Sequence, residues 1–425
     1  MEQAAHAGYA LKRVNAARKP YSIPHPAEVR LLLSSLRNDR GPASPFEAAG
    51  LTAEECAGLD WPRLIQMAAE HGVQPQLYQS LKAAGAIPPA ILTAMRAQYY
   101  GSSLASLKLA RGLAHLASRL KDAGVSAIAF KGPVLALKVR GDLSIRQFND
   151  IDLLVRPQDA GRATEVLIAE NYWPRHFNPA NAERSIARCY EDEFIRLPDV
   201  QMVDLHWDLS PRYFPYGPPA DQVWRRAELF TLEGSEVRTM GALDLVLYLA
   251  VHGTKHGWAN AGAVCDLAAA LNADPSLDRL QLLREADEFG CLRMLLLGAA
   301  LARNLLGAPI PPELADRLDA APAIDALARG AERRMFKHVG VRTGLYLDWI
   351  VPLRLLPDGR SRMHYVLHRG LWPAPEDLEF IDLPPLLYPL YFPLRPVRLL
   401  IQHSKRLFAN VPPGRKPLTR SASRQ

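Results

Sequence analysis

The sequence predicts an α+β fold: a small mixed β-sheet with helices, flanked by N-terminal and C-terminal helical regions. Three observations carry that prediction. Residues 125–155, VSAIAFKGPVLALKVRGDLSIRQFNDIDLLV, hold two short apolar runs separated by a glycine break and a brief helical stretch. Glu191–Leu197 and Val200–Trp207 flank Pro198-Asp199 and read as a hairpin. On both sides of this region lie Ala/Leu-rich stretches with helical spacing.

Taken in order, residues 1–25 are mixed and loose, and Pro26–Arg37 is a short amphipathic helix through Val29, Leu31, Leu32, Leu33 and Leu36. Asn38–Pro45 is a loop. Thr52 with Glu55 forms a capping box for the next helix. Trp61–His71 and Gln74–Ala84 are two short helices joined at Gly72, and Pro88–Ala123 is a long helix ending near Gly124. Val125–Phe130 is then a buried strand, Lys131-Gly132-Pro133 breaks it, and Val134–Val139 is a helix stopped by Gly141. Asp150–Val155 is the second strand. Pro157–Asn171 reads as a helix, Tyr172–Phe177 as a strand and Ala180–Cys189 as a helix. After the hairpin come a Tyr/Pro/Gly-rich loop over Arg212–Pro219, then a short helix and a strand within Asp221–Arg238. Ala242–Trp258 is amphipathic and helical, Leu277–Leu306 and Pro311–Val339 are helices, and Leu345–Leu367 is helical or mixed. The expected divisions are 1–120, 121–240, 241–383 and 384–425.

The second strand carries the chemistry. Side chains alternate across a strand, so Asp150 and Asp152 share one face while Ile151, Leu153 and Val155 share the other. The two carboxylates sit about 7 Å apart at the backbone. Like charges that close raise a pKa unless a cation lies between them, and hard divalent ions suit oxygen ligands. The turn before it adds a second signal. A strand, a glycine bend and a helix start aim N–H groups at an anion, and Lys131 adds a point charge for phosphate. A phosphate cradle followed by a paired-carboxylate strand is the layout of a two-metal phosphoryl- or nucleotidyl-transfer site. On the second arm of the hairpin Val203, Leu205 and Trp207 face one way, Asp204 and His206 the other. His252 and His256 stand one helical turn apart, but no Glu follows His252 and no third ligand is near, so zinc is not expected.

These residues resemble the polymerase-β-like nucleotidyltransferase superfamily, and within it bacterial nucleotidyltransferase-family proteins. The resemblance rests on Lys131-Gly132, Arg146, Asp150 through Val155, and Val203-Asp204-Leu205-His206-Trp207, with His71-Gly72-Val73 and His252 through Trp258 as further matches. It departs at Pro133, where the superfamily usually has Gly or Ser; proline removes one N–H from the cradle. The resemblance implies transfer of a nucleoside monophosphate from an NTP, with Asp150, Asp152 and Asp204 as catalytic and metal-binding residues around two Mg²⁺ ions, Mn²⁺ being a substitute. It implies Lys131, Gly132, Arg146 and Lys255 as nucleotide and phosphate contacts, and His206, His252 and His256 as supporting or acceptor-side residues. His71 is expected to pack or cap. The acceptor, whether small molecule, sugar, protein or RNA, stays open. So do two other readings: a nucleotide-binding scaffold without turnover, and a toxin-like enzyme acting on tRNA or protein.

Composition sets the bounds. The chain has 425 residues, 48% hydrophobic and 22% charged, as in an ordinary globular protein. Its four cysteines, Cys56, Cys189, Cys265 and Cys291, show no metal spacing, which predicts a reducing, cytoplasmic setting. Neither a leader sequence nor a membrane-spanning run is expected. The net charge of +7 is local: eight Lys/Arg and no acidic residue follow Asp382, leaving 7 − 8 = −1 for the rest. Pro384–Leu400, PPLLYPLYFPLRPVRLL, precedes the last stretch of this basic tail. The segment either packs over the helical region or meets an anionic membrane, and the tail's charge also suits nucleic acid.

Overall fold

The computed structural model describes residues 25–37, 44–85, 87–177, 183, 185–186, 189–337, 350–373, 377, 380–381 and 383–408. The expected helix over 180–189 and the chain past Phe408 lie largely or wholly outside these residues. The architecture is α+β. Seven strands form one mixed sheet in the order β3-β4-β5-β2-β1-β7-β6. They are β1 Ala127–Ala129, β2 Asp150–Val155, β3 Trp173–Pro174, β4 Glu191–Arg196, β5 Gln201–His206, β6 Glu228–Leu232 and β7 Ser235–Thr239.

At the centre β2 runs antiparallel to β1 and parallel to β5. The β2–β5 register sets Asp152 opposite Asp204 and Leu154 opposite His206. The pleat then sorts the faces. Ile151, Leu153, Val155, Val203 and Leu205 bury against the long helix Pro89–Asp122 and the helix Ala160–Ala169. Ile128, Phe130 and Leu154 join a second apolar cluster that runs through the N-terminal helices, such as Ala27–Leu36, and the C-terminal helices, such as Ala242–Lys255 and Leu292–Leu306. Asp152 and His206 are on this second face, buried between sheet and helices.

The helix boundaries follow local chemistry. Thr52 caps Ala53–Ala57 with the expected reciprocal box to Glu55. Gly72 (φ +67°), Gly124 (+71°) and Gly141 (+69°) turn the chain at helix ends where other residues would be strained. Two features go beyond the sequence reading and have physical causes. Asp221–Arg238 yields a helix, Ala220–Arg226, and two strands instead of one, because Glu233 and Gly234 both take positive φ (+48° and +78°) and close a tight β6–β7 hairpin. The Pro-interrupted segment from Pro384 is helical: Pro385–Leu390 is a 3₁₀ turn and Tyr391–Phe408 an α-helix, with Pro393 in the first turn, where no N–H is needed.

The two His-Gly stretches of the sequence, at His71-Gly72 and His252-Gly253, both serve packing. A Cβ on Gly253 would lie 2.6 Å from the Trp258 indole, which is fully buried. His71 ties the N-terminal helices to the helix Ala261–Ala273: its Nδ1 accepts from the Ala261 N–H at 3.3 Å, and its carbonyl accepts from Gly262 at 3.0 Å. This is a capping role. Burial pushes the His71 imidazole down to about 4. The unfolded chain binds that proton near pH 6.5 and the fold refuses it, so stability is full above pH 6.5 and falls as pH drops toward 4. The loss is about 2 kcal/mol by pH 5. Urea midpoints at pH 7.5 and pH 5 should therefore differ more for wild type than for His71→Asn, which keeps an acceptor but does not titrate.

Candidate active site

Side chains from four consecutive pieces of the sheet meet on its helix-covered face. β2 contributes Asp150 and Asp152, β5 contributes Asp204 and His206, β4 contributes Glu191, and the turn after β1 contributes Lys131. One donor atom from each of Asp152, Asp204 and His206 lies within 4.8 Å of the other two. Neighbouring parallel strands stand closer than alternate residues along one strand, which is why opposed Asp152 and Asp204 converge more tightly than Asp150 and Asp152. Asp150 is half-buried one step along β2, outside that tight set but close enough to act on it electrostatically.

Asp152 is the hub. Its side chain has no exposed surface; Lys131 Nζ lies 2.5 Å and His206 Nε2 3.4 Å from its Oδ1. On the other side His206 Nδ1 is 3.0 Å from Glu191 Oε2. Glu191 accepts from the Tyr190 hydroxyl, which in turn accepts from Lys255 Nζ at 2.8 Å. A row of alternating charge, Lys131–Asp152–His206–Glu191, thus crosses the site and continues through the neutral Tyr190 hydroxyl to Lys255. Several of these contacts are close but poorly directed: neither Asp152 oxygen and neither His206 ring nitrogen has an aligned hydrogen bond, though all four atoms are buried.

The electrostatics follow from this crowding. Burial alone would raise Asp152, but the Lys131 ammonium and His206 outweigh it and hold the carboxyl below its usual range. Burial, then the charges of Asp152 and Asp150, push Asp204 up to about 7. Asp150 is also raised, by burial and by Asp152. Burial pulls His206 down, yet Glu191 and Asp152 carry it up to about 9. Lys131 loses to burial but is held well above the usual lysine range, chiefly by Asp152. Lys255 is lowered, by burial and by repulsion from Lys131.

Beside the cluster opens a cleft of about 300 Å³, lined by Lys131, Arg146, Gln147, Asn149, His252 and Asp266 among others. Arg146 Nε lies 3.0 Å from both carboxyl oxygens of Asp266. Its Nη1 is buried without a hydrogen-bond partner. The glycine bend takes φ +53° at Gly132 and is buried against the Asp150 carbonyl.

The sequence-derived residues are therefore brought together unequally. Asp152, Asp204, His206 and Lys131 form the centre, with Asp150 at its margin and Arg146 on the cleft wall. Lys255 reaches Tyr190 at the far end of the charge row. His252, stacked on Tyr248, lines the cleft, and burial with the nearby Lys131 charge keeps it neutral. His256 is exposed and its ring adjoins His252 at 4.6 Å. Sequence reasoning missed Glu191 and Tyr190. The signal was present: counting back from the hairpin turn pairs Arg196 with Gln201 and so Glu191 with His206.

Comparison with known proteins bears on what this arrangement is. A solved structure, that of an antigenic nucleotidyltransferase-like protein from Paracoccidioides brasiliensis, is similar at 13% identity and TM-score 0.30, over 52% of this chain and 92% of its own. No curated protein sequence matches the chain. The family described as uncharacterised nucleotidyltransferase matches residues 57–307, which is more than half of the chain and takes in the cradle, both acidic strands and the histidine motifs. The chain belongs to that nucleotidyltransferase family.

Proposed function

We propose that the protein transfers a nucleoside monophosphate from an NTP to an acceptor hydroxyl and releases pyrophosphate, with a divalent cation at Asp152, Asp204 and His206. One observation carries the reading: Asp152, Asp204 and His206 converge, and the buried oxygens of Asp152 and ring nitrogens of His206 lack aligned hydrogen bonds, beside a cleft walled by Lys131 and Arg146. The donor set fits such an ion. Two carboxylates suit Mg²⁺ or Mn²⁺, and the imidazole tilts the set toward a transition ion such as Mn²⁺. In this reading Asp150, half-buried one step along β2, would contribute to a second site. When bound, the cation supplies positive charge at the transferring phosphoryl group and acidifies the acceptor hydroxyl.

The chain's own groups do the rest. Arg146, fixed by Asp266, offers its free Nη1 to a phosphate oxygen. Lys131 keeps Asp152 ionised and adds charge to the same wall. Asp204, pushed up to about 7 by burial and by the charges of Asp152 and Asp150, is the group whose crowding a cation bound between the carboxylates would relieve. Glu191 holds the ring of His206 from behind through Nδ1, as a carboxylate does for a ligating histidine, and Nε2 would give up to a bound cation the proton that His206, raised to about 9, otherwise carries.

The Lys131–Asp152 pair favours a second reading, in which the ammonium serves as the permanent cation and the protein binds nucleotide without turnover. Incubation with each NTP and Mg²⁺ or Mn²⁺ separates them: pyrophosphate release supports transfer, and calorimetric NTP binding with no product supports the binder. In the transfer case Arg146→Ala should raise the KM for NTP by about tenfold or more, since one charge-assisted hydrogen bond is worth roughly 1.5–3 kcal/mol. An unchanged KM would remove Arg146 from the nucleotide site.

A further inference from the structure

Exposed apolar side chains gather at one end of this chain. Of the twenty exposed large hydrophobics among the described residues, thirteen lie between Met363 and Ile401, well past the family match at 57–307. On the helix Tyr391–Phe408, Pro393, Val397, Leu400 and Ile401 follow a spacing that puts them on one face, and that face is in solvent; Leu400 is 71% exposed. The buried side of the same helix is the charged one. Arg395 is 6% exposed, with Nη1 2.6 Å from Asp377 Oδ2 and Nε donating to the Arg369 carbonyl at 3.0 Å, and Arg398 pairs with the same Asp377.

Over its described side chains this helix thus buries Arg395 beside Tyr391 and turns Val397, Leu400 and Ile401 outward. The helix Gly359–Leu371, which packs beside it, repeats the pattern: Tyr365 is buried while Met363, Val366, Leu367 and Leu371 form an exposed stripe. The two stripes adjoin where the half-exposed rings of Trp372 and Phe392 meet edge to face at 5.4 Å. A continuous apolar face of this kind marks a docking surface.

Charge selects the occupant. Of the eight Lys/Arg that follow Asp382, Arg395 and Arg398 are taken up by Asp377; the six later in the sequence come with no acidic residue among them, and Arg360 and Arg362 are exposed on the neighbouring helix. Two copies pressed together here would oppose like charge with like. Nucleic acid would use the cations but leave the leucines and valines without a role. Aliphatic and aromatic side chains with Arg360 and Arg362 exposed beside them, followed in sequence by a basic run, match the headgroup boundary of an anionic bilayer. No helix of the described residues is long and apolar enough to cross a membrane, so the pair of helices would lie on the surface.

We infer that the Met363–Ile401 face docks this protein onto an anionic membrane. The test is co-sedimentation of the full chain with vesicles of phosphatidylcholine alone or mixed with phosphatidylglycerol, at rising salt, with scattering mass and RNA binding measured in parallel. The expected result is partition at least about tenfold stronger onto the anionic vesicles, weakened by salt. Val397→Asp/Leu400→Asp and Met363→Asp/Leu367→Asp should each lower it by about tenfold or more with urea midpoint and turnover unchanged, because these side chains already face solvent. Equal binding to neutral vesicles, or binding that survives both aspartate pairs, overturns the inference. So does a wild-type dimer that the aspartate pairs dissociate, or RNA binding that they abolish.

Discussion

Asp152→Asn is expected to reduce pyrophosphate release by about a thousandfold or more, equivalent to roughly 4 kcal/mol of transition-state stabilisation. It is also expected to destabilise the fold, and the two effects can be separated. The Asp152 side chain is wholly buried, with the Lys131 ammonium at 2.5 Å and His206 at 3.4 Å. Removing one partner of a buried pair strands the other, at a cost of about 3–5 kcal/mol, whereas replacing both with groups of similar shape is close to neutral. Asp152→Asn/Lys131→Met should therefore recover most of the urea midpoint lost by Asp152→Asn alone. Turnover should stay lost, because the proposed cation is held by the charge of this carboxylate. If the single variant keeps more than about a tenth of wild-type turnover, Asp152 is not at the centre of the chemistry. If the double variant regains both stability and turnover, Asp152 serves only as the counter-ion of Lys131.

How far the sequence reveals such a site depends on the range of the interaction. The strand Asp150–Val155 was legible because Ile151, Leu153 and Val155 need a core and the alternating Asp150 and Asp152 do not. The helix Gly132–Arg140 and its stop at Gly141 were legible for local reasons of the same kind. Asp204 followed from the alternation within Val203–Trp207. The parallel register that sets Asp152 opposite Asp204 was not legible, since nothing local fixes how two strands fifty residues apart slide past each other. That register decides which donors converge, and it draws His206 inward with Asp152 and Asp204 while Asp150 stands one step aside. The Arg146–Asp266 pair spans 120 residues and comes from packing alone. The β6–β7 hairpin was a different kind of miss: Glu233-Gly234 is a weaker turn signal than Asn-Gly, though its backbone adopts the same positive φ at both positions. The C-terminal helix Tyr391–Phe408 hid its nature because its prolines argue locally against a helix that Asp377 and Arg369 hold in place.

Gly132→Ala is expected to have the second-largest effect, and it tests whether the glycine bend and the acidic strand are one mechanical unit. Gly132 sits at φ +53°, where a side chain costs about 1–3 kcal/mol. An added Cβ would also lie 2.8 Å from the carbonyl oxygen of Asp150. Both parties to that clash are backbone, so no rotamer change relieves it; the bend or the start of β2 must move. The expected loss is about 2–4 kcal/mol in the urea midpoint. Because Asp150 opens the strand that carries Asp152, the same movement should lower kcat by about tenfold to a hundredfold. Gly141→Ala is the control. Gly141 takes φ +69° at the other end of the same helix, with nothing within 4 Å of an added Cβ. It should show the backbone strain alone, a smaller loss of stability with kcat unchanged. Equal stability losses in the two variants, with kcat retained in both, would mean that the approach of Gly132 to Asp150 does not hold the acidic strand in position.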